Sequence, residues 1–130
     1  MEYLADTVAV LRFLADTGKI GSKARKIFEE TEKGEHIIWI SIISIVEIMY
    51  LAEKNRIPVN LEDFIEKIKV NRNYKLIDLD LDIVRTANRL SGLELHDRLI
   101  VATAKYMDIP LITSDSIITN SGFIEILWDK

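Results

Sequence analysis

Short apolar runs alternate along this chain with longer segments whose apolar residues recur every three or four positions. That alternation is the strongest constraint on the fold. An uninterrupted apolar run is buried on both sides, and strands of that kind belong to parallel sheets covered by helices. Tyr3–Ala5, Ile37–Ile40, Lys75–Leu79, Leu111–Thr113 and Ile124–Leu127 are the strand candidates. After the first of these, Val8, Leu11 and Leu14 keep helical spacing. Ser22–Glu32 puts Ala24, Ile27 and Phe28 on one face, and Gly34 stops it. Ile42–Lys54 is apolar on most sides, which predicts a largely buried helix. Leu61, Phe64, Ile65 and Ile68 mark a helix beyond Pro58. Ile83, Val84, Ala87 and Leu90 mark another, with Asp80 as its N-cap and an end near Gly92. Ile100, Thr103, Ala104 and Met107 mark the last. The expected architecture is α/β, a three-layer α/β/α arrangement with a central parallel sheet of about five strands. With 130 residues and no repeat or linker, one domain spanning 1–130 is expected.

Within this pattern Asp6, Glu47, Asp97 and Asp115 stand out, because each closes, opens or interrupts an apolar run. In an α/β chain, strand ends and the adjoining helix starts lie together along one edge of the sheet. Acids gathered there repel one another unless protons or cations intervene. A divalent metal with oxygen ligands is the natural partner. Each acid also has a purely structural reading. Asp6 and Asp97 suit helix N-caps. Ser44-Ile45-Val46-Glu47 fits a capping box. Asp115 suits a turn. Spacing alone leaves both readings open.

Composition narrows the chemistry. The chain has no cysteine, which excludes disulfides, thiolate metal sites and cysteine nucleophiles and fits a reducing, cytoplasmic setting. No basic region followed by a long apolar stretch opens it, so no signal peptide is expected. The most apolar segment, Ile37 to Ala52, is short for a membrane span of ~20 residues and is broken by Ser41, Ser44 and Glu47. The net charge of −4 counts against a nonspecific nucleic-acid coat but not against a nuclease. Lys19, Lys23, Arg25 and Lys26 form one basic group, and Lys67, Lys69, Arg72 and Lys75 another; solvated helix faces are the favoured reading of both. There is no Gly-x-Ser-x-Gly elbow and no glycine-rich phosphate loop. His96, beside Asp97, reads first as a residue of the helix start and second as a group near substrate.

The segments around the acids resemble PIN-domain ribonucleases, especially the VapC-type toxins of prokaryotic toxin–antitoxin pairs. Tyr3-Leu4-Ala5-Asp6-Thr7, followed by Leu11 and Leu14, is similar to that family's opening strand, Asp-Thr step and helix. Ser41 to Ile48 is similar to its serine turn and buried acidic helix. Leu95-His96-Asp97-Arg98-Leu99-Ile100-Val101-Ala102-Thr103-Ala104 is the most specific match. Pro110-Leu111-Ile112-Thr113-Ser114-Asp115 resembles the strand and acid that complete the site. Ser116–Gly122 brings no further acid of the kind some members carry, so Asp115 must do most of that region's work.

The resemblance implies an endoribonuclease that depends on Mg²⁺ or Mn²⁺. Asp6, Glu47, Asp97 and Asp115 would be its metal-binding and catalytic acids, with Asp6 and Asp97 the first candidates for ligation. Thr7, Ser44 and Thr113 would orient carboxylates. Arg98 would be a structural partner of a nearby carboxylate. The implied partners are an RNA substrate, a cognate antitoxin and a second copy of the chain, with no membrane. Tyr50, Tyr74 and Trp128 suit a core or an interface equally. The alternatives are an RNA-processing PIN nuclease without an antitoxin and a non-catalytic PIN-like scaffold binding RNA or protein. A metal-dependent phosphatase lacks its usual Asp-x-Asp pair, because Val8 fills the second position.

Overall fold

The structure is a computed structural model that describes residues 1–129. Its elements run β1 (Glu2–Ala5), α1 (Thr7–Leu14), α2 (Ser22–Glu32), β2 (Ile37–Ser41), α3 (Ile42–Glu53), α4 (Leu61–Val70) and β3 (Tyr74–Ile77). They continue with α5 (Leu81–Asn88), α6 (Leu95–Met107), β4 (Leu111–Ile112), α7 (Ser116–Ser121) and β5 (Ile126–Leu127). All pairings are parallel and the strand order is β3-β2-β1-β4-β5.

Alternation along the strands builds two cores, one on each face. Tyr3 and Ala5 of β1, Ile38 and Ile40 of β2 and Ile112 of β4 join Val10, Phe28, Ile48 and Phe64, from α1 to α4. Leu4 of β1 and Leu111 of β4 point the other way and join Ile83, Ile100, Val101 and Ile118, from α5, α6 and α7. Connectivity explains the division. The chain moves from β1 through β2 to β3 in one direction, then returns past both strands to place β4 on the far side of β1. Parallel crossovers keep one hand, so reversing direction moves the helices to the other face.

Several expectations need correction. The helix after β2 is not largely buried: Ser44 and Ile48 are, while Val46, Met49 and Tyr50 are 44%, 40% and 49% exposed. Only one side of α3 meets the sheet, whatever its composition. Three strands are shorter than their apolar runs, with β3 running from Tyr74 to Ile77 and β4 and β5 reduced to Leu111–Ile112 and Ile126–Leu127, while β1 and β2 each gain a residue, Glu2 and Ser41. The short helix α7 follows Asp115 where a turn was expected; its sequence, Ser-Ile-Ile-Thr-Asn-Ser, is too short and polar to show a period. Asp80 does cap α5, accepting from the Ile83 N–H at 2.9 Å.

Candidate active site

Parallel α/β sheets bind ligands outside the carboxyl ends of their strands, where the strand order reverses. Here that point lies between β1 and β4. Asp6 follows β1 and Asp115 follows β4 by three residues. The ends are held together, since the Asp6 N–H donates to the Ile112 carbonyl at 3.1 Å.

Both acids are helix caps. Asp6 Oδ1 accepts from the Ala9 N–H at 2.9 Å, and Asp115 Oδ1 accepts from the Ile118 N–H at 2.9 Å. Thr113, fully buried, joins them: its hydroxyl donates to Asp6 Oδ2 and accepts from the Asp115 N–H at 3.0 Å. A cap leaves the second carboxylate oxygen pointing beyond the helix end, so capping and lining a site are compatible.

The other two acids are not caps. Glu94 caps α6, accepting from the Asp97 N–H at 2.9 Å, so Asp97 sits inside the first turn. Ser41 caps α3, accepting from the Ile43 N–H at 3.1 Å, so the Ser44–Glu47 capping box does not form. Neither the Glu47 nor the Asp97 carboxylate accepts a hydrogen bond among the described residues. Both are half-buried. Two carboxylates brought into a partly desolvated place without donors have no structural purpose evident in the fold.

Asp6, Glu47, Asp97 and Asp115 line one cavity of about 190 Å³. Burial pushes the Asp6 carboxyl up to about 6; its bonds from Thr113 and Ala9 oppose this, and the charges of Asp115 and Glu47 add to it. Burial, followed by the charges of Asp115, Glu94, Asp6 and Glu47, likewise pushes Asp97 up to about 6. The acids therefore sense one another electrostatically. Arg12, His96 and Ser114 also line the cavity, and Arg12 was not singled out from the sequence. It stands on α1 four residues after Val8, which lines the same cavity, and that i, i+4 spacing puts the two on one helix face.

Thr7, Ser44 and Arg98 behave differently from Thr113. The Thr7 hydroxyl donates to Ser44 Oγ at 2.9 Å in a buried bond that ties α1 to α3 one turn before Glu47. Neither hydroxyl bonds to a carboxylate among the described residues. Arg98 forms no ion pair there, and its buried Nε has no partner. The two basic groups do approach each other: Arg25 and Lys67 line a cavity of about 380 Å³ that Arg12 also lines.

The donor set fits a hard divalent cation, because it is all oxygen and carries excess negative charge. Among the described residues no three acids or imidazoles stand close enough to form a ready-made ligand set. Mg²⁺ keeps several of its waters and uses few protein carboxylates, so acids spaced around a small cavity suit it. A larger cavity of about 610 Å³ opens beside Lys105, Pro110 and Phe123, at the other end of β4, without this convergence.

Comparison with known proteins agrees with the fold. The sequence profile of the PIN domain family matches residues 3–123. No curated protein sequence matches the chain. Among solved structures, VapBC2 from Rickettsia felis, bound to a DNA fragment from its promoter, is similar with a TM-score of 0.73 at 18% identity, covering 99% of this chain and 100% of that one. A toxin–antitoxin complex from Klebsiella pneumoniae is similar with a TM-score of 0.66 at 21% identity, covering 96% and 95%. VapC20 of Mycobacterium tuberculosis, a toxin that cleaves the sarcin-ricin loop, is similar with a TM-score of 0.65 at 17% identity, covering 95% and 97%.

Proposed function

Since the chain belongs to the PIN domain family, we propose that it is an endoribonuclease dependent on Mg²⁺ or Mn²⁺ and the toxin of a type II toxin–antitoxin pair. One observation carries the reading: acids from four separate elements line a single cavity at the point where the strand order reverses.

When bound, divalent cations would offset the acids' charge, polarise the phosphate and make a water nucleophilic near neutral pH. Asp6 and Asp97 are the residues to hold them. Asp6 is the preorganised member, with one oxygen fixed by Ala9 and the other by Thr113. Asp97 keeps both oxygens free of protein donors among the described residues. Glu47 and Asp115 would help hold the metal, orient the attacking water or take its proton. A general base needs a carboxylate within hydrogen-bond reach of that water, and Glu47, without a donor among the described residues, suits this role. Thr113 holds Asp6 and the Asp115 backbone in fixed relation. Thr7 and Ser44 act one step further out, setting α3 so that Glu47 faces the cavity.

RNA is the proposed substrate, and the cytoplasm the proposed compartment. Among the described residues no helix is long and apolar enough to cross a membrane. Val46, Met49 and Tyr50 lie at i, i+3 and i+4 on α3 and are exposed together, which supports a protein partner there, an antitoxin or a second copy.

The deciding experiment is cleavage of a panel of single-stranded and structured RNAs with Mg²⁺, Mn²⁺ or EDTA, comparing wild type with Asp97→Asn. Cutting that needs metal and is lost in the variant is the expected result. A folded wild type that binds metal and cuts no RNA of the panel would overturn the nuclease reading in favour of a non-catalytic scaffold.

A further inference from the structure

The acid cavity, at about 190 Å³, is smaller than the ~300–1,000 Å³ typical of sites that enclose a small molecule. A phosphate and its cations would fill it, which leaves the base of a bound nucleotide to extend beyond its lining. A second groove, of about 350 Å³, adjoins it, and Ser114 lines both. We propose that this groove is a nucleobase subsite: it would hold the base next to the scissile phosphate of single-stranded RNA, stacked on Trp128 and hydrogen-bonded to Asn120. The inference rests on the nuclease reading for its substrate.

Its walls have the composition a base requires. Trp128 and Ile126 supply apolar surface, while Thr119 and Asn120 supply polar edges. Unstacked RNA bases bind by stacking on aromatic rings and by hydrogen bonds along their edges. The Asn120 amide presents donor and acceptor in one plane, is exposed and has no hydrogen-bond partner among the described residues. Thr119 donates its hydroxyl proton to the Asp115 carbonyl at 2.7 Å, which leaves its oxygen as an acceptor and ties this wall to the residue that carries a site acid.

Trp128 is set in place before any ligand arrives. Its carbonyl accepts from the Ala24 N–H at 2.8 Å, and the next carbonyl, of Asp129, accepts from the Ser22 hydroxyl at 3.0 Å. The Arg12 guanidinium lies 5.9 Å from the indole centroid. Arg12 also lines the acid cavity, so one side chain reaches from that cavity to the indole ring. A platform already ordered loses little entropy on binding.

The test uses the full chain with its indole nitrogens labelled. The indole NMR signals of Trp39 and Trp128 are assigned with Trp128→Phe, and the four nucleoside 5′-monophosphates are titrated beside ribose 5-phosphate. The expected result is a saturable shift of the Trp128 signal by nucleotides but not by ribose 5-phosphate, weakened roughly tenfold in Asn120→Ala. In parallel, cleavage of a random single-stranded RNA pool should lose base preference beside the cut in Asn120→Ala and Trp128→Ala, with a larger change in KM than in kcat. Absence of a nucleotide-dependent Trp128 shift overturns the subsite whether or not the wild type cuts RNA. An unchanged base preference in both variants, at wild-type melting temperature, also overturns it. Nucleotide binding by a wild type that cuts no RNA keeps the subsite and removes the nuclease reading.

Discussion

Thr113 is the residue on which the acids' geometry turns. It is buried, and its one hydroxyl satisfies two groups, the Asp6 carboxylate and the Asp115 N–H. Thr113→Val keeps the shape and removes both bonds. It should cost ~1–3 kcal/mol of stability, because both partners remain partly buried. It should also weaken metal binding roughly 10- to 100-fold, as loss of a group that orients a ligand does. Denaturant unfolding and a metal titration check the two effects, and a variant that matches wild type in both would remove Thr113 from the site. The raised carboxyls give a second prediction. Asp6 and Asp97 rise from an ordinary 3.8 to about 6, so the folded chain binds more protons than the unfolded one between those values. Their contribution therefore stabilises the metal-free protein as pH falls through 6 toward 4, and is lost as pH rises. In EDTA, wild type compared with Asp6→Asn should gain melting temperature between pH 7.5 and 5. Mg²⁺ added at pH 7.5 should raise the wild-type melting temperature through binding to the folded state. Equal pH trends in the two proteins would mean that neither burial nor the neighbouring acids raise the Asp6 carboxyl.

At the scale of elements, the caps carried more information than the periods. Asp6 and Asp115 are caps and also line the cavity, so the structural and functional readings of those residues were never alternatives. For Asp97 and Glu47 the structural reading was wrong, because Glu94 and Ser41 are the caps. A sequence shows that a carboxylate lies near a helix start but does not settle which of several polar residues bonds the free N–H groups. The start of α2 shows a second dependence on context. A Cβ at Gly21 would lie 2.4 Å from the Trp128 carbonyl oxygen, so no larger residue fits without movement. Gly21→Ala should destabilise the chain by ~1–3 kcal/mol and displace Trp128. Thermal unfolding and the Trp128 indole signal report the two effects, and a neutral substitution with an unmoved signal would show that the approach is less close. Nothing in Ile20-Gly21-Ser22 announces this contact, since its partner is more than a hundred residues away in the chain.

At the scale of the molecule, the site exists because the strand order reverses between β1 and β4. The reversal brings residues from both ends of the chain to one crevice and puts helices on both faces, so that α3 contributes Glu47 and α6 contributes Asp97. The amino-acid sequence by itself determined the layers, the parallel sheet and, among the described residues, its five strands and six of the seven helices, because burial on two faces and amphipathic spacing are written in local patterns. It also singled out the four acids as polar residues where apolar ones were expected. Only the tertiary structure decided that they line one cavity, that Thr113 bridges two of them while Thr7 and Ser44 bond each other, and that Arg12 lines the same cavity and approaches Trp128. These contacts join residues tens of positions apart, across several elements. Local propensity does not encode them; they follow from the strand order and from the packing of both cores against the sheet.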